Sequence, residues 1–190
     1  MMLRLFVGVP LSAAHQEGLE RIRRVWSRRF RSKLSWTKTG NWHLTLKFLG
    51  DAPAERLEAI KSALATVRFA PFVLQPAGGG FFPPAGGREP RPRVLWVGLG
   101  QGAPACVSLA RQVDEAMQGL GFPAETRPLA AHLTLARVKD AQPDAWLEFV
   151  KDLEETSWPP TTVDRIVLWR SELGPGGPKY SSMFELLSSS

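Results

Sequence analysis

Apolar positions along the chain fall into short runs separated by amphipathic stretches of helical period, and the pattern occurs twice. Arg4-Leu5-Phe6-Val7 opens an apolar strand, and Arg93-Val94-Leu95-Trp96 repeats it in mid-chain. Behind Ser12, whose hydroxyl suits an N-cap, Leu19, Ile22, Val25 and Trp26 recur at helical spacing. The counterpart spans 104–120, with Val107, Ala110, Val113, Met117 and Leu120 apolar and Gly119 and Gly121 near its end. A strand then carries His43-Leu44-Thr45-Leu46, and the same tetrapeptide returns 89 positions later as His132-Leu133-Thr134-Leu135. Second helices are predicted over 53–67 and 143–153, each opened by proline, with further strands at 72–74, 163–169 and 180–187. This order predicts an α+β fold of two pseudo-symmetric lobes, each a small antiparallel sheet with two helices, and a cleft between them. The whole is one domain built from repeats at about 3–75 and 93–170, joined by a Gly/Pro-rich linker over 76–92.

Composition narrows the class. The chain has 190 residues, 44% hydrophobic and 22% charged, which excludes wholesale disorder. Lysine and arginine exceed the acids by 24 to 18, a net charge of +6 that favours polyanionic partners. Cys106 is the single cysteine, so neither an intrachain disulfide nor a thiolate zinc site can form, and a reducing cytoplasm is the expected location. The N-terminus imitates a signal peptide, but Gly8 and Pro10 interrupt it and its repeat sits in mid-chain, so a buried strand is the better reading. No apolar run approaches the roughly 18 residues of a membrane span.

The repeated tetrapeptide carries the chemistry. Strand alternation puts His43, Thr45 and Lys47 on one face and Leu44, Leu46 and Phe48 on the other, with His132 and Thr134 together in the second copy. Two of three histidines thus occupy matching points of a repeat, whereas His15 has no partner and reads as structural. Across a two-fold axis, two imidazoles suit in-line displacement at phosphorus, one taking a proton and the other giving one. The threonine hydroxyls would donate to non-bridging phosphate oxygens. Metal catalysis is disfavoured, because only Asp51 and Asp140 are acidic near the motifs. The loop glycines lack the Gly-Lys-Ser/Thr ending of a phosphate cradle.

Asn41-Trp42-His43-Leu44-Thr45-Leu46-Lys47-Phe48-Leu49-Gly50 and Arg127-Pro128-Leu129-Ala130-Ala131-His132-Leu133-Thr134-Leu135-Ala136-Arg137 resemble the 2H phosphoesterase superfamily. The Phe-Leu-Gly and Leu-Ala-Arg words narrow the likeness to its RNA 2′,3′-cyclic phosphodiesterases, also called 2′–5′ RNA ligases. Ala131 departs from the proline usual there. The resemblance implies hydrolysis of an RNA 2′,3′-cyclic phosphate to a 2′-phosphate, with 2′–5′ joining as the reverse direction. It makes His43 the proton donor, His132 the proton acceptor and Arg137 a phosphate contact, although alternation puts Arg137 on the leucine face unless the strand bulges. No metal or cofactor is implied. The expected partners are RNA ends or nucleotides with a cyclic phosphate, tRNA fragments among them, with no membrane and a monomeric chain.

Several residues carry two readings. Phe81 and Phe82 are either loop anchors or a platform for a base, and Tyr180 is either a strand start or a substrate contact. Arg21, Arg23, Arg24, Arg28, Arg29, Arg31 and Lys33 form either a solvated face or an RNA contact, and Arg88, Arg91 and Arg93 stand beside the phenylalanines. Two rival functions remain. One is another reaction of the superfamily, on a small cyclic nucleotide, ADP-ribose cyclic phosphate or 2′–5′ oligoadenylate. The other is a non-catalytic RNA-binding module, disfavoured because both His-Thr pairs are intact.

Overall fold

The apolar runs pair into a single sheet. In the computed structural model, which describes residues 1–84, 90–175 and 177–189, the strands are β1 (Met2–Pro10), β2 (Lys33–Trp36), β3 (His43–Pro53), β4 (Phe72–Phe82), β5 (Val94–Gln101), β6 (Leu133–Asp140), β7 (Thr161–Val163), β8 (Arg165–Gly174) and β9 (Gly177–Leu187). Their order is β7-β4-β5-β6-β3-β1-β8-β9, with β2 on β6 and antiparallel pairing throughout. The two halves of the sheet meet at one residue pair, Leu44 with Leu133. Beyond it β3 stays with β1, while the same edge of β6 turns to β2, pairing Trp36 with Ala136 and Ser35 with Arg137. The cleft opens where β3 and β6 part.

Four helices back the sheet: α1 (Ala13–Trp26), α2 (Leu57–Leu64), α3 (Ala103–Gln118) and α4 (Trp146–Glu155). Ser12 caps α1, its hydroxyl accepting from the His15 amide at 3.3 Å, and Leu19, Ile22 and Trp26 are buried while Val25 is exposed. Each half of the sheet has two helices, as expected, but one of each pair is borrowed. α1 meets α4, which packs on β4: the Trp26 indole donates to Asp152 at 2.7 Å and meets Phe149 edge-on at 5.2 Å. α3, from the second repeat, packs instead on β3 and α2. Exchange of helices ties the halves through buried aromatic area, the largest stabilising contribution such side chains make.

The expected linker is partly strand. Residues 76–82 continue β4 and pair with β5, and 85–89 lie outside the described residues. Gly79 marks a close backbone approach, since a Cβ there would stand 2.5 Å from the Trp96 carbonyl oxygen. β2, unanticipated from sequence, lies in the basic stretch after α1. Among the described residues no helix is long and apolar enough to cross a membrane.

Candidate active site

Leu44 and Leu133, both fully buried, fix the geometry of the residues beside them. Carried one residue to either side, this antiparallel register sets His43 opposite Thr134 and Thr45 opposite His132, all four on the face away from the leucines. In a regular ladder such diagonal neighbours stand about 7–8 Å apart at the backbone. Histidine and threonine alternate around the four corners.

Both imidazoles are held alike. His43 Nδ1 lies 2.7 Å from the Asn41 carbonyl and His132 Nδ1 lies 2.6 Å from the Ala130 carbonyl. A carbonyl only accepts, so Nδ1 carries the hydrogen in each ring and Nε2 is the exchangeable nitrogen. His43 Nε2 faces the Thr45 hydroxyl at 3.0 Å. The surroundings differ. Phe6, Trp169 and Tyr180 ring His43, with centroids at 4.7, 5.5 and 5.3 Å, whereas His132 has Phe82 at 5.4 Å and Trp96 at 6.4 Å. Burial among these rings pushes the His43 pKa down against the opposing hydrogen bond to Asn41.

Two bulges correct the expected faces. β3 slips against β1 between the Val7–Lys47 and Gly8–Thr45 pairs, so Leu46 and Lys47 are buried in succession. Lys47 therefore leaves the His-Thr face for the helix layer, donating to Asp114 at 2.6 Å, and Phe48 turns into the cleft, 64% exposed. β6 does the same at Leu135 and Ala136, between the Leu95–Ala136 and Trp96–Thr134 pairs, and this brings Arg137 to the side of Thr134. The bulge is thus part of the repeat, Phe48 corresponding to Arg137. The opening strands match with a different offset, Gly8 standing opposite Thr45 as Trp96 stands opposite Thr134, so the equation of Arg4 with Arg93 was one residue out of register.

A cavity of about 860 Å³ is lined from β1 by Arg4 and Phe6, from β3 by His43, Thr45 and Phe48, and from β6 by Thr134, Arg137 and Lys139; His132, against Phe82 and Trp96, is not among its lining residues. Trp36 and Lys38 close one side and the β8–β9 hairpin, with Ser171 and Tyr180, another. Burial raises the Tyr180 pKa although Arg137 and Arg4 pull it down, so both guanidinium groups act on the same hydroxyl. Of the aromatic residues singled out from sequence, Tyr180 and Phe82 reach the histidines and Phe81 does not: it is buried against Trp146. Phe6, Phe48, Trp169, Arg4, Lys38 and Lys139 were missed. His15 is buried, hydrogen-bonded to the Pro159 carbonyl at 2.8 Å. Much of the basic cluster is internally engaged: Arg23 and Arg24 bind Glu20, and Arg29 binds Glu148. Arg88 lies outside the described residues, and Arg91 and Arg93 do not line the cavity. Among the described residues no three His, Cys, Asp or Glu side chains are grouped to hold a metal ion.

The chain matches the family model of LigT-like phosphoesterases over residues 9–96 and 99–180. It belongs to that family. Among LigT-like relatives, it is 33% identical to an RNA 2′,3′-cyclic phosphodiesterase of Archaeoglobus fulgidus over 181 residues, covering 95% of this chain and 98% of that one. The corresponding enzyme of Aeropyrum pernix is 32% identical over 151 residues, or 79% and 84% of the two chains. A crystal structure of E. coli LigT complexed with 3′-AMP superposes with a TM-score of 0.76 over 100% of both chains at 23% identity, which establishes the shared LigT fold.

Proposed function

We propose that the chain hydrolyses 2′,3′-cyclic phosphates at RNA ends to 2′-phosphates by acid–base catalysis between His43 and His132. The observation that carries this is the Leu44–Leu133 pair at the parting of β3 and β6, which sets the two His-Leu-Thr-Leu strands side by side. A phosphorus bound between the two motifs would have an Nε2 on each side and a hydroxyl on each remaining corner. His132 Nε2 takes a proton from water as its oxygen bonds to phosphorus; the P–O3′ bond breaks and His43 gives its Nε2 proton to O3′. Thr45, Thr134 and Arg137 donate to the non-bridging oxygens. With a 5′-hydroxyl in place of water, the same transfers would join RNA ends through a 2′–5′ linkage. The family names of the relatives support the substrate class. Incubation with an oligonucleotide ending in a 2′,3′-cyclic phosphate tests the proposal: a 2′-phosphate end is expected, and a 3′-phosphate or no conversion would overturn it. Turnover should withstand EDTA, and loss restored by Mn²⁺ or Zn²⁺ would count against the two-histidine scheme.

The low His43 pKa gives this mechanism a pH signature. An acid must begin protonated, yet burial holds free His43 neutral to lower pH than an ordinary imidazole. A bound phosphate anion beside Nε2 favours the charged form and restores it. The alkaline limb of kcat/KM, which reports the free enzyme, should therefore lie at lower pH than that of kcat. Coincident limbs would show that substrate does not protonate His43.

A further inference from the structure

The cavity carries more positive charge than one cyclic phosphodiester needs. Arg4, Lys38, Arg137 and Lys139 line it without any aspartate or glutamate, and among the described residues none of the four forms an ion pair. Asp51, opposite Arg4 in the β1–β3 register, neither bonds it nor lines the cavity. The arrangement is layered along the parting strands. Innermost are His43, Thr45 and Thr134; past the bulges stand Phe48 and Arg137; two residues further stand Gly50 and Lys139. Arg4, level with Gly50 and Asp51, adds a guanidinium to this outer layer from the opposite wall. Lys38 is elsewhere, its Cε against Gly177 at the hairpin tip. A reacting cyclic phosphate carries one negative charge and is provided for by the inner layer and Arg137. The outer cations, on both walls and without carboxylates, form a concave positive surface that concentrates a further anion.

We propose that Arg4 and Lys139 form a subsite for a second phosphate, so that the ligand is the end of a single-stranded oligonucleotide. The terminal phosphate occupies the inner layer and the internal phosphodiester, on the 5′ side of the last nucleoside, occupies the outer one. Phe48, exposed between the layers, offers its ring to the intervening nucleoside. The inference rests on the function proposed above.

Equilibrium binding of uncleavable ligands tests it: 3′-AMP, the dinucleotide ApA bearing a 3′-phosphate, and adenosine 5′,3′-bisphosphate. The dinucleotide should bind about tenfold more tightly than 3′-AMP at low salt, through one charge-assisted contact pair. Its log Kd should depend on log salt more steeply by about 0.7, the increment for one further phosphate. Arg4→Gln with Lys139→Gln should bring the ratio of the two affinities and the difference in slope close to nil, and Lys139→Gln alone should remove part of both. Equal binding of 3′-AMP and the dinucleotide, or a gain that survives the substitutions, would overturn the subsite. A gain with the bisphosphate but not the dinucleotide would overturn the oligonucleotide assignment in favour of a 5′-phosphorylated nucleotide. Failure of 3′-AMP itself to bind would remove the inner phosphate site, and with it the proposed function.

Discussion

His43→Ala and His132→Ala should each lower kcat about 10²–10⁴-fold, the usual loss when one partner in proton transfer is removed. Thr45→Val or Thr134→Val should cost about 10²–10³-fold or less, as for one donor to a developing oxyanion. The imidazoles are hydrogen-bonded through Nδ1 to the chain two residues back, so truncation removes the exchangeable Nε2 and leaves the Leu44–Leu133 pair intact. A substrate with an activated aryl leaving group separates the roles. It needs little protonation on departure, so it should restore much of the rate of His43→Ala and little of that of His132→Ala. Equal restoration would refute the assignment of donor and acceptor. Full activity in either alanine variant, measured on the natural leaving group, would refute catalysis by the pair.

The candidate site was legible because it is written in residue identity, whereas the directions of its side chains are written in backbone irregularity. Two identical His-Leu-Thr-Leu strands sufficed to name the four corners, and strict alternation around Leu44 and Leu133 was correct for one residue on each side. It failed at the third, where each strand bulges: Lys47 went to the helix layer, and Phe48 and Arg137 came to the cleft. No local pattern announces a bulge in Leu46-Lys47 or Leu135-Ala136: a lysine after Leu46 reads as the polar face of a regular strand, and two apolar residues in succession read equally well as a continuous buried strand. The glycines of 78–80 misled for a related reason. They signal flexibility in a chain considered alone, but Gly79 is small because Trp96 approaches it. The exchange of helices between halves was likewise beyond local reading, because α1 and α3 have the same amphipathic pattern whichever half of the sheet they cover.

Asp114→Ala should destabilise the fold by about 3–5 kcal/mol, because it leaves a buried ammonium short of its carboxylate. The Lys47 side chain is 2% exposed; it donates to Asp114 at 2.6 Å and to the Pro123 carbonyl at 2.9 Å, with Glu125 farther off at 3.5 Å. Lys47→Met should be far milder, within about 1–2 kcal/mol of the parent, since an apolar chain of similar length fills the space. Asp114 then still accepts from Gln118 and the Glu125 amide. Burial alone would raise the Asp114 pKa, but Lys47, the Glu125 amide and Gln118 together hold it below the ordinary carboxylate value. A depressed folded pKa contributes stability above the unfolded value of about 3.9 and loses it as pH falls through the folded one, so this contribution should fade below about pH 4. Urea unfolding at pH 7 and at pH 3 measures both effects. Asp114→Ala should be costly at pH 7 and relatively less so at pH 3, while Lys47→Met should retain turnover, because Lys47 faces the helices and not the cleft. An Asp114→Ala protein as stable as the parent at pH 7, or a Lys47→Met protein as damaged as Asp114→Ala, would show that the pair does not hold β3 against α3.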